Sequence, residues 1–230
     1  MNPNFVFENE DILVINKPSG LVIHPFDGST EKTLLDFLHE THENIFLIPN
    51  NTFTLQNGTV INLGGIVHKL DRETSGVMVV AKNKKTQKEL SSLFKDHRIH
   101  KEYIALIEGK IKAEALRIDA PLGRNKKDYK QVAFPDNPRG ELREAITDMS
   151  VLLRKETMTL VKLEPLTGRT HQLRAHLKHV GHPIVGDIAY GSSIHAPRIM
   201  LHAQKLRFIL NNKELTFEAP LPKEFIEPFE

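Results

Sequence analysis

The sequence predicts one domain that mixes short β-strands with a few amphipathic helices, and three observations carry that prediction. Apolar runs of strand length, DILVIN at 11–16, VMVVA at 77–81 and IHKEYIALIEG at 99–109, are bounded by Gly, Pro, Ser and Asn. Between them lie segments whose apolar residues recur at helical spacing, Leu34, Leu35 and Leu38 in one and Leu90, Leu93 and Phe94 in another. Finally, 230 residues hold no internal repeat, low-complexity tract or boundary-forcing linker, so a single domain over 1–230 is expected.

Composition removes several classes of function. Hydrophobic residues make up 40% and charged residues 26%, ordinary values for a globular protein, and no apolar run is long enough to span a bilayer. A membrane role is not expected. The opening MNPNFVFENEDILV carries acids where a targeting peptide carries bases, which predicts a cytoplasmic protein. The absence of cysteine excludes a disulfide framework, a thiolate nucleophile and a zinc-thiolate site. Net charge is only +2, but it is unevenly spread. Residues 1–60 hold two bases against eight acids, 82–131 fourteen against seven, and 167–208 six against one. If the two basic segments share a face, they attract a polyanion by phosphate neutralisation. Each taken alone reads equally well as a solvated surface.

Taken in order, DILVIN is a strand that enters a turn at Lys17-Pro18-Ser19-Gly20, and LVIHP resumes the strand pattern. A helix capped by Ser29 or Thr30 follows, then a loop or short hairpin over 41–63, rich in Asn and Thr. Residues 66–82, IVHKLDRETSGVMVVAK, pack charge and small polar residues against a buried strand, with Gly76 releasing the turn-like half into VMVVA. Asn83 or Thr86 caps a helix that reaches about His97. In the strand over 99–109, Tyr103, Ala105 and Ile107 share one face, which lets Tyr103 line a sheet-floored cleft. A basic excursion, LGRNKKDYKQVAFPDNPRG at 122–140, reads as a surface loop or hairpin, and strands follow at 144–153 and 158–163. A helix starts just after Gly168-Arg169 and stops at Gly181, with Leu173, Leu177 and Val180 as its apolar stripe and His171, Arg174 and Lys178 on another side. A basic residue at such an N-terminus makes an anion site. Residues 198–208 and 214–217 close the fold as a strand pair.

Phosphate-loop, dinucleotide and zinc-protease patterns are absent, so no nucleotide cofactor is expected. Among twelve histidines, His171, His176 and His179 form the closest set, but neither cysteine nor a nearby carboxylate completes a metal site. Asp71 alone, flanked by Lys69 and Arg72 among turn formers, reads either as a chemical group at a strand mouth or as a turn aspartate paired with Arg72. Arg169 alone reads as a surface or salt-bridge arginine.

Whole motifs decide more. NKPSGLVIHP, GIVHKLDRETSGVMVVAKN, KEYIALIEG, PLTGRTHQLRAHLKHVGHPIVGDIAYG and LHAQKLRF, in this order and over nearly the full length, resemble the RluA-type family of pseudouridine synthases. The resemblance implies an α+β catalytic domain, built on a large mixed, mostly antiparallel sheet with flanking helices and a central RNA-binding cleft. It implies isomerisation of uridine to pseudouridine in transfer or ribosomal RNA, without cofactor or metal, by a protein expected to be a monomer. Asp71 matches the catalytic aspartate, assigned in the family either covalent attack or acid-base and electrostatic roles. Tyr103 matches the active-site tyrosine that stacks on uracil, and Arg169 the arginine that pairs with the aspartate. His68, Lys69, Arg72, Thr170, His171 and Arg174 are the expected substrate contacts. The alternative is a catalytically silent RNA-binding or ribosome-assembly protein on the same fold, which needs basic residues but not Asp71.

Two features depart from the family pattern. Lys69 stands where arginine usually precedes the Leu-Asp pair and helps hold the flipped-out state; lysine keeps the charge but loses the planar, bidentate group. The catalytic motifs also begin by about Asn16, which leaves no room for the N-terminal RNA-binding domain of many relatives.

Overall fold

The computed structural model describes residues 2–26, 28–124, 131–133 and 139–229. Strands dominate, most of them antiparallel in a large sheet, and helices are few. Contacts group the chain into two compact units: Met1–Ile99 with Lys205–Ala219, and His100–Gln204 with Pro220–Glu230.

In the first unit the chain runs through β1 (Asn4–Glu8), β2 (Ile12–Lys17), α1 (Leu34–Thr41), β3 (Thr52–Thr54), β4 (Val60–Asn62), β5 (Ser75–Ala81) and α2 (Lys84–Lys95). Strand β2 pairs antiparallel with β1 on one side and β5 on the other. Ile12, Val14, Val77, Val79 and Ala81 pack with Leu90 and Leu93 of α2. The alternate residues Leu13, Ile15, Met78 and Val80 are equally buried. Both faces are therefore covered, the condition under which a strand reads as a continuous apolar run. Asn83 caps α2 as expected, accepting the Thr86 N–H at 2.9 Å, and the helix ends at Lys95, short of His97.

Two expectations fail nearby. The cap of α1 is Thr33, not Ser29 or Thr30, because Thr33 and Asp36 form a reciprocal capping box. LVIHP is not a strand. Leu21 and Ile23 are buried, but the Val22 and Ile23 carbonyls accept the Leu34 and Leu35 N–H groups at 2.8 and 3.0 Å. The backbone there satisfies a helix N-terminus instead of a sheet ladder. The uncertain stretch over 41–63 forms a 3-10 turn at Glu43–Leu47 and the β3–β4 hairpin.

The second unit contains β6 (His100–Glu108), β7 (Ala115–Asp119), β8 (Leu122–Arg124), β9 (Gln131–Ala133), β10 (Arg139–Arg143), β11 (Ile146–Arg154), β12 (Met158–Pro165) and α3 (Gln172–His179). Strands β6, β12, β11 and β7 are neighbours in that order, antiparallel throughout. The basic excursion forms a small sheet with β8 between β10 and β9, and its residues 125–130 and 134–138 lie outside those described. The strand expected over 144–153 starts only at Ile146. Ile104, Ala105, Leu106 and Ile107 are all buried, so along this stretch β6 is covered on both faces and not only on the one that carries Ala105 and Ile107.

Strand β13 (Leu201–Leu210) begins in the second unit and continues in the first, where β14 (Lys213–Glu218) pairs back onto it. Asn211 and Asn212, at φ 49° and 60°, make the two-residue left-handed turn between them. Among the described residues no helix is long and apolar enough to cross a membrane.

Candidate active site

The approach to Asp71 is set by a glycine. Gly65 accepts the Ala81 N–H at 2.8 Å and Ile66 bridges Val80, so the chain runs tightly beside β5. A Cβ on Gly65 would fall on the Ala81 carbonyl oxygen, and only glycine permits the contact. Leu70 is buried, Asp71 is half-buried, and the Asp71 carbonyl accepts the Thr74 N–H at 3.1 Å. The expected turn at the mouth of a buried strand is thus present, and β5 opens at Ser75 with Gly76 at φ 122°.

The neighbouring site residues have separate tasks. His68 Nε2 accepts the Val79 N–H at 3.0 Å and its ring stacks on Phe94, which places its own proton on Nδ1 and pins the chain to β5. Lys69 is exposed, with its ammonium 5.6 Å from the ring centre of Phe53 on β3, and Phe53 lies 4.7 Å from the His24 ring. Arg72, also exposed, pairs with Glu31 at 3.0 Å and Glu73 at 3.7 Å. The turn at the end of β2 holds the same segment from the other side. Lys17 is fully buried and donates to the carbonyls of Pro18, Leu21 and Arg72, each at 3.0 Å.

In the second unit, Tyr103 lies on β6 opposite Leu163 of β12 and packs against that unit's core. Arg169 sits in the connection between β12 and α3, donating from Nε to the Glu144 carbonyl at 3.0 Å. Its backbone N–H donates to Gln172 Oε1, also at 3.0 Å. That oxygen accepts the Thr167 hydroxyl at 2.7 Å, and Gln172 Nε2 donates to the Ile146 carbonyl and the Thr147 hydroxyl. Lys101 Nζ donates to the Thr167 carbonyl at 2.9 Å, and burial lowers its pKa to about 8.

Helix α3 starts later than expected because His171 takes a left-handed conformation, φ 53° and ψ 22°. Thr170 is exposed, while His171 Nδ1 lies 3.0 Å from the Tyr190 hydroxyl. Arg174 does not share a solvated helix face with Lys178. It is buried, with bidentate bonds of 2.7 and 2.9 Å to Asp187, and its guanidinium lies 4.7 Å from the Tyr190 ring centre. Gly181, at φ 84°, follows the helix end as expected.

His176 is enclosed between the Thr147 hydroxyl and the Ala120 carbonyl, and burial lowers its pKa. Among the described residues, the one group with metal-ligand proximity is His100, Glu102 and Glu164, whose ligand atoms lie within 4.8 Å of one another. The Lys162 ammonium, 3.1 Å from Glu164 and 3.9 Å from Glu102, already offsets the negative charge there.

Sequence reasoning missed Lys17, Lys101 and Gln172. The available signal for Lys17 was its place at the end of an apolar strand just before Pro-Ser-Gly, and for Gln172 its place beside the apolar stripe of α3.

Comparison with known proteins agrees with the motifs. A family model described as RNA pseudouridylate synthase matches residues 11–179. The ribosomal large subunit pseudouridine synthase D of Haemophilus ducreyi is 34% identical over 244 aligned residues, covering 99% of this chain and 70% of that protein. An uncharacterized RNA pseudouridine synthase of Bacillus subtilis is 35% identical, covering 100% and 73%. Among solved structures, human RNA pseudouridylate synthase domain containing 1 superposes with a TM-score of 0.74 at 29% identity, over 95% of this chain and 83% of that one. The matched span runs from β2 through α3 and takes in the Asp71 turn, the Tyr103 strand and the Arg169 connection, so the chain belongs to the RNA pseudouridylate synthase family of RNA-modifying isomerases.

Proposed function

We propose that this protein isomerises uridine in ribosomal or transfer RNA with Asp71 as the carboxylate that acts at the sugar. The observation that carries this reading is the Asp71 turn: a half-buried carboxylate at a strand mouth, on a backbone tied by hydrogen bonds on both sides. The reaction breaks the bond from sugar carbon-1′ to uracil N1 and joins the same carbon to carbon-5. A proton leaves carbon-5 and N1 gains one, so there is no net redox change and no cofactor is needed. Attack on the sugar carbon and acid-base assistance both require the carboxylate at one place, and the turn serves either.

Tyr103 is assigned to the uracil ring, by stacking and by proton transfer through its hydroxyl. Arg169 is assigned to the positive charge that the carboxylate chemistry needs. Of the substrate contacts, Lys69, Arg72 and Thr170 are exposed and suited to RNA phosphates, whereas His68 is bonded to the Val79 N–H, His171 to the Tyr190 hydroxyl and Arg174 to the Asp187 carboxylate, bonds that position the segments carrying them. The target uridine must leave its stack, which costs a few kcal/mol and favours looped or single-stranded sites. Because the Haemophilus ducreyi relative is named for the large ribosomal subunit, ribosomal RNA is the first substrate to test.

The test is pseudouridine formation by the purified chain, with no cofactor added, read by mass spectrometry of RNA from cells lacking the protein. Asp71→Asn is expected to abolish the product while RNA binding persists. Equal activity in this variant would remove Asp71 from the chemistry. RNA binding by the wild type without product would favour the silent RNA-binding protein.

A further inference from the structure

The hairpin of β3 and β4 adds little to the core of the first unit. All three residues of β3 are exposed, and so are Val60 and Asn62 of β4. A lone two-stranded hairpin is marginal in water, and this one is tied down at its base. The Asn51 amide donates to the Gly64 and Ile66 carbonyls at 2.7 and 2.8 Å, and the Asn62 amide donates to the Phe46 carbonyl at 2.9 Å. The Leu63 N–H closes the ring of bonds on the Asn51 carbonyl at 2.7 Å. Because Gly64 to Ile66 is the stretch that runs beside β5 toward the Asp71 turn, the hairpin is built onto the approach to that carboxylate.

Its middle residue is an aromatic one. Phe53 is 38% exposed, opposite Ile61 in the hairpin. The His24 ring lies 4.7 Å away at an interplanar angle of 37°, and its Nδ1–H is donated to the Pro25 carbonyl at 2.9 Å, since a carbonyl can only accept. The Lys69 ammonium lies 5.6 Å from the Phe53 ring centre. Charge favours the same spot. Eight acids precede residue 44, yet Lys69 is the only Lys, Arg, Asp or Glu between Glu43 and Asp71. A phosphate chain that approaches the hairpin meets no carboxylate on it and an ammonium beside the ring.

An exposed aromatic face beside a cation binds an unstacked nucleobase while the cation attracts its phosphate. Looped and single-stranded RNA offers such bases, and a duplex does not. We infer that Phe53, framed by His24 and Lys69, is a stacking subsite for an unpaired RNA base next to the uridine that reacts at Asp71. The position follows from Lys69, which stands two residues before Asp71, and the inference rests on the reading of Asp71 as the carboxylate that acts on RNA. Every base has a π-face, so the subsite selects unpaired RNA and not one sequence.

The chain has no tryptophan, so Phe53→Trp introduces a single indole whose fluorescence reports stacking. Oligouridine, alone or paired with oligoadenosine, is titrated into the full chain as wild type, Phe53→Leu, Phe53→Trp and Leu152→Trp, the last a control at an exposed position of β11. The single strand should quench Phe53→Trp and not Leu152→Trp. Phe53→Leu should bind the single strand about tenfold more weakly, equivalent to about 1.4 kcal/mol and within what one stacked base contributes, with an unchanged salt slope. Phe53→Trp should bind at least as tightly as the wild type, and the duplex should not distinguish the variants. On RNA from cells lacking the protein, the loss in Phe53→Leu should fall on KM rather than kcat. A purely structural role would lower the folded fraction without changing the affinity of folded molecules. Wild-type affinity in Phe53→Leu, an indole that RNA does not quench, or an equal loss on the duplex would overturn the inference. A wild type that binds RNA through Phe53 but forms no pseudouridine would instead overturn the reading of Asp71, and a wild type that binds no RNA would overturn both.

Discussion

Asp71 and Arg169 both sit on short connections with a carbonyl tied down by a lysine, yet the two connections are held in opposite ways. Around Asp71 the hold is remote: Lys17 and Ser19 reach Arg72 and Glu73 across 55 and 54 positions of sequence. Around Arg169 it is mostly local, a knot in which Gln172 gathers Thr167 and the Arg169 N–H within five positions and ties them to Ile146 and Thr147 on β11. Beneath that knot the Arg174–Asp187 pair anchors the helix. A turn pinned from afar depends on residues outside its own loop. A loop knotted to the helix it starts shares the helix's fate.

Asp187→Ala gives the largest expected effect on stability and the sharpest contrast. It leaves the Arg174 guanidinium buried without its carboxylate, which costs about 3–5 kcal/mol. In a chain of this size each kcal/mol moves the melting temperature by roughly 2–4 °C. Ser19→Ala, in the remotely held turn, should leave the melting temperature nearly unchanged. A small shift in Asp187→Ala, under about 1 kcal/mol, would mean that the Arg169 connection does not depend on the pair.

The lysine that ties down the second connection, Lys101, has a pKa lowered by burial to about 8. The unfolded chain holds a proton at this position up to its ordinary value near 10.5, whereas the folded chain releases it near 8. Between these values the unfolded state binds more protons, so folding stability gains with rising pH. Lys101→Met removes that gain. Denaturant melts from pH 7 to 10 should show the wild type improving relative to the variant above pH 8. A constant difference across that range would show that Lys101 stays charged in the fold.

What could be read from sequence follows the same division between local and remote. The Asp71 turn, the cap at Asn83, the stop at Gly181 and the β13–β14 pair are written in adjacent residues, and the structure has all of them. LVIH misled because an apolar extended run looks alike whether its carbonyls meet a strand or, as here, the first N–H groups of α1. Arg174 read as a substrate contact on the side of the helix away from the apolar stripe because its partner is Asp187, thirteen positions on, beyond any helical spacing. His171 hid the start of α3, since no neighbouring residue marks it as the one that takes a left-handed conformation. The grouping into two units depends on which distant segments touch, and no linker announced it.

The smallest expected effect separates an exposed contact from these buried ones. Lys69 stands where the family pattern has arginine, and its ammonium lies over Phe53, a ring 38% exposed on a hairpin strand with no buried residue. Exposed cation–π pairs contribute about 0.5–1 kcal/mol, far below the Arg174–Asp187 pair. A double-mutant cycle of Phe53→Leu and Lys69→Met should return a coupling of that size in thermal melts. Lys69→Arg should keep the contact, because the guanidinium plane stacks on an aromatic face at least as well as an ammonium does. Coupling indistinguishable from zero would mean that solvent, not Phe53, fixes Lys69, and the hairpin would then have no part in orienting the residue that stands two positions before Asp71.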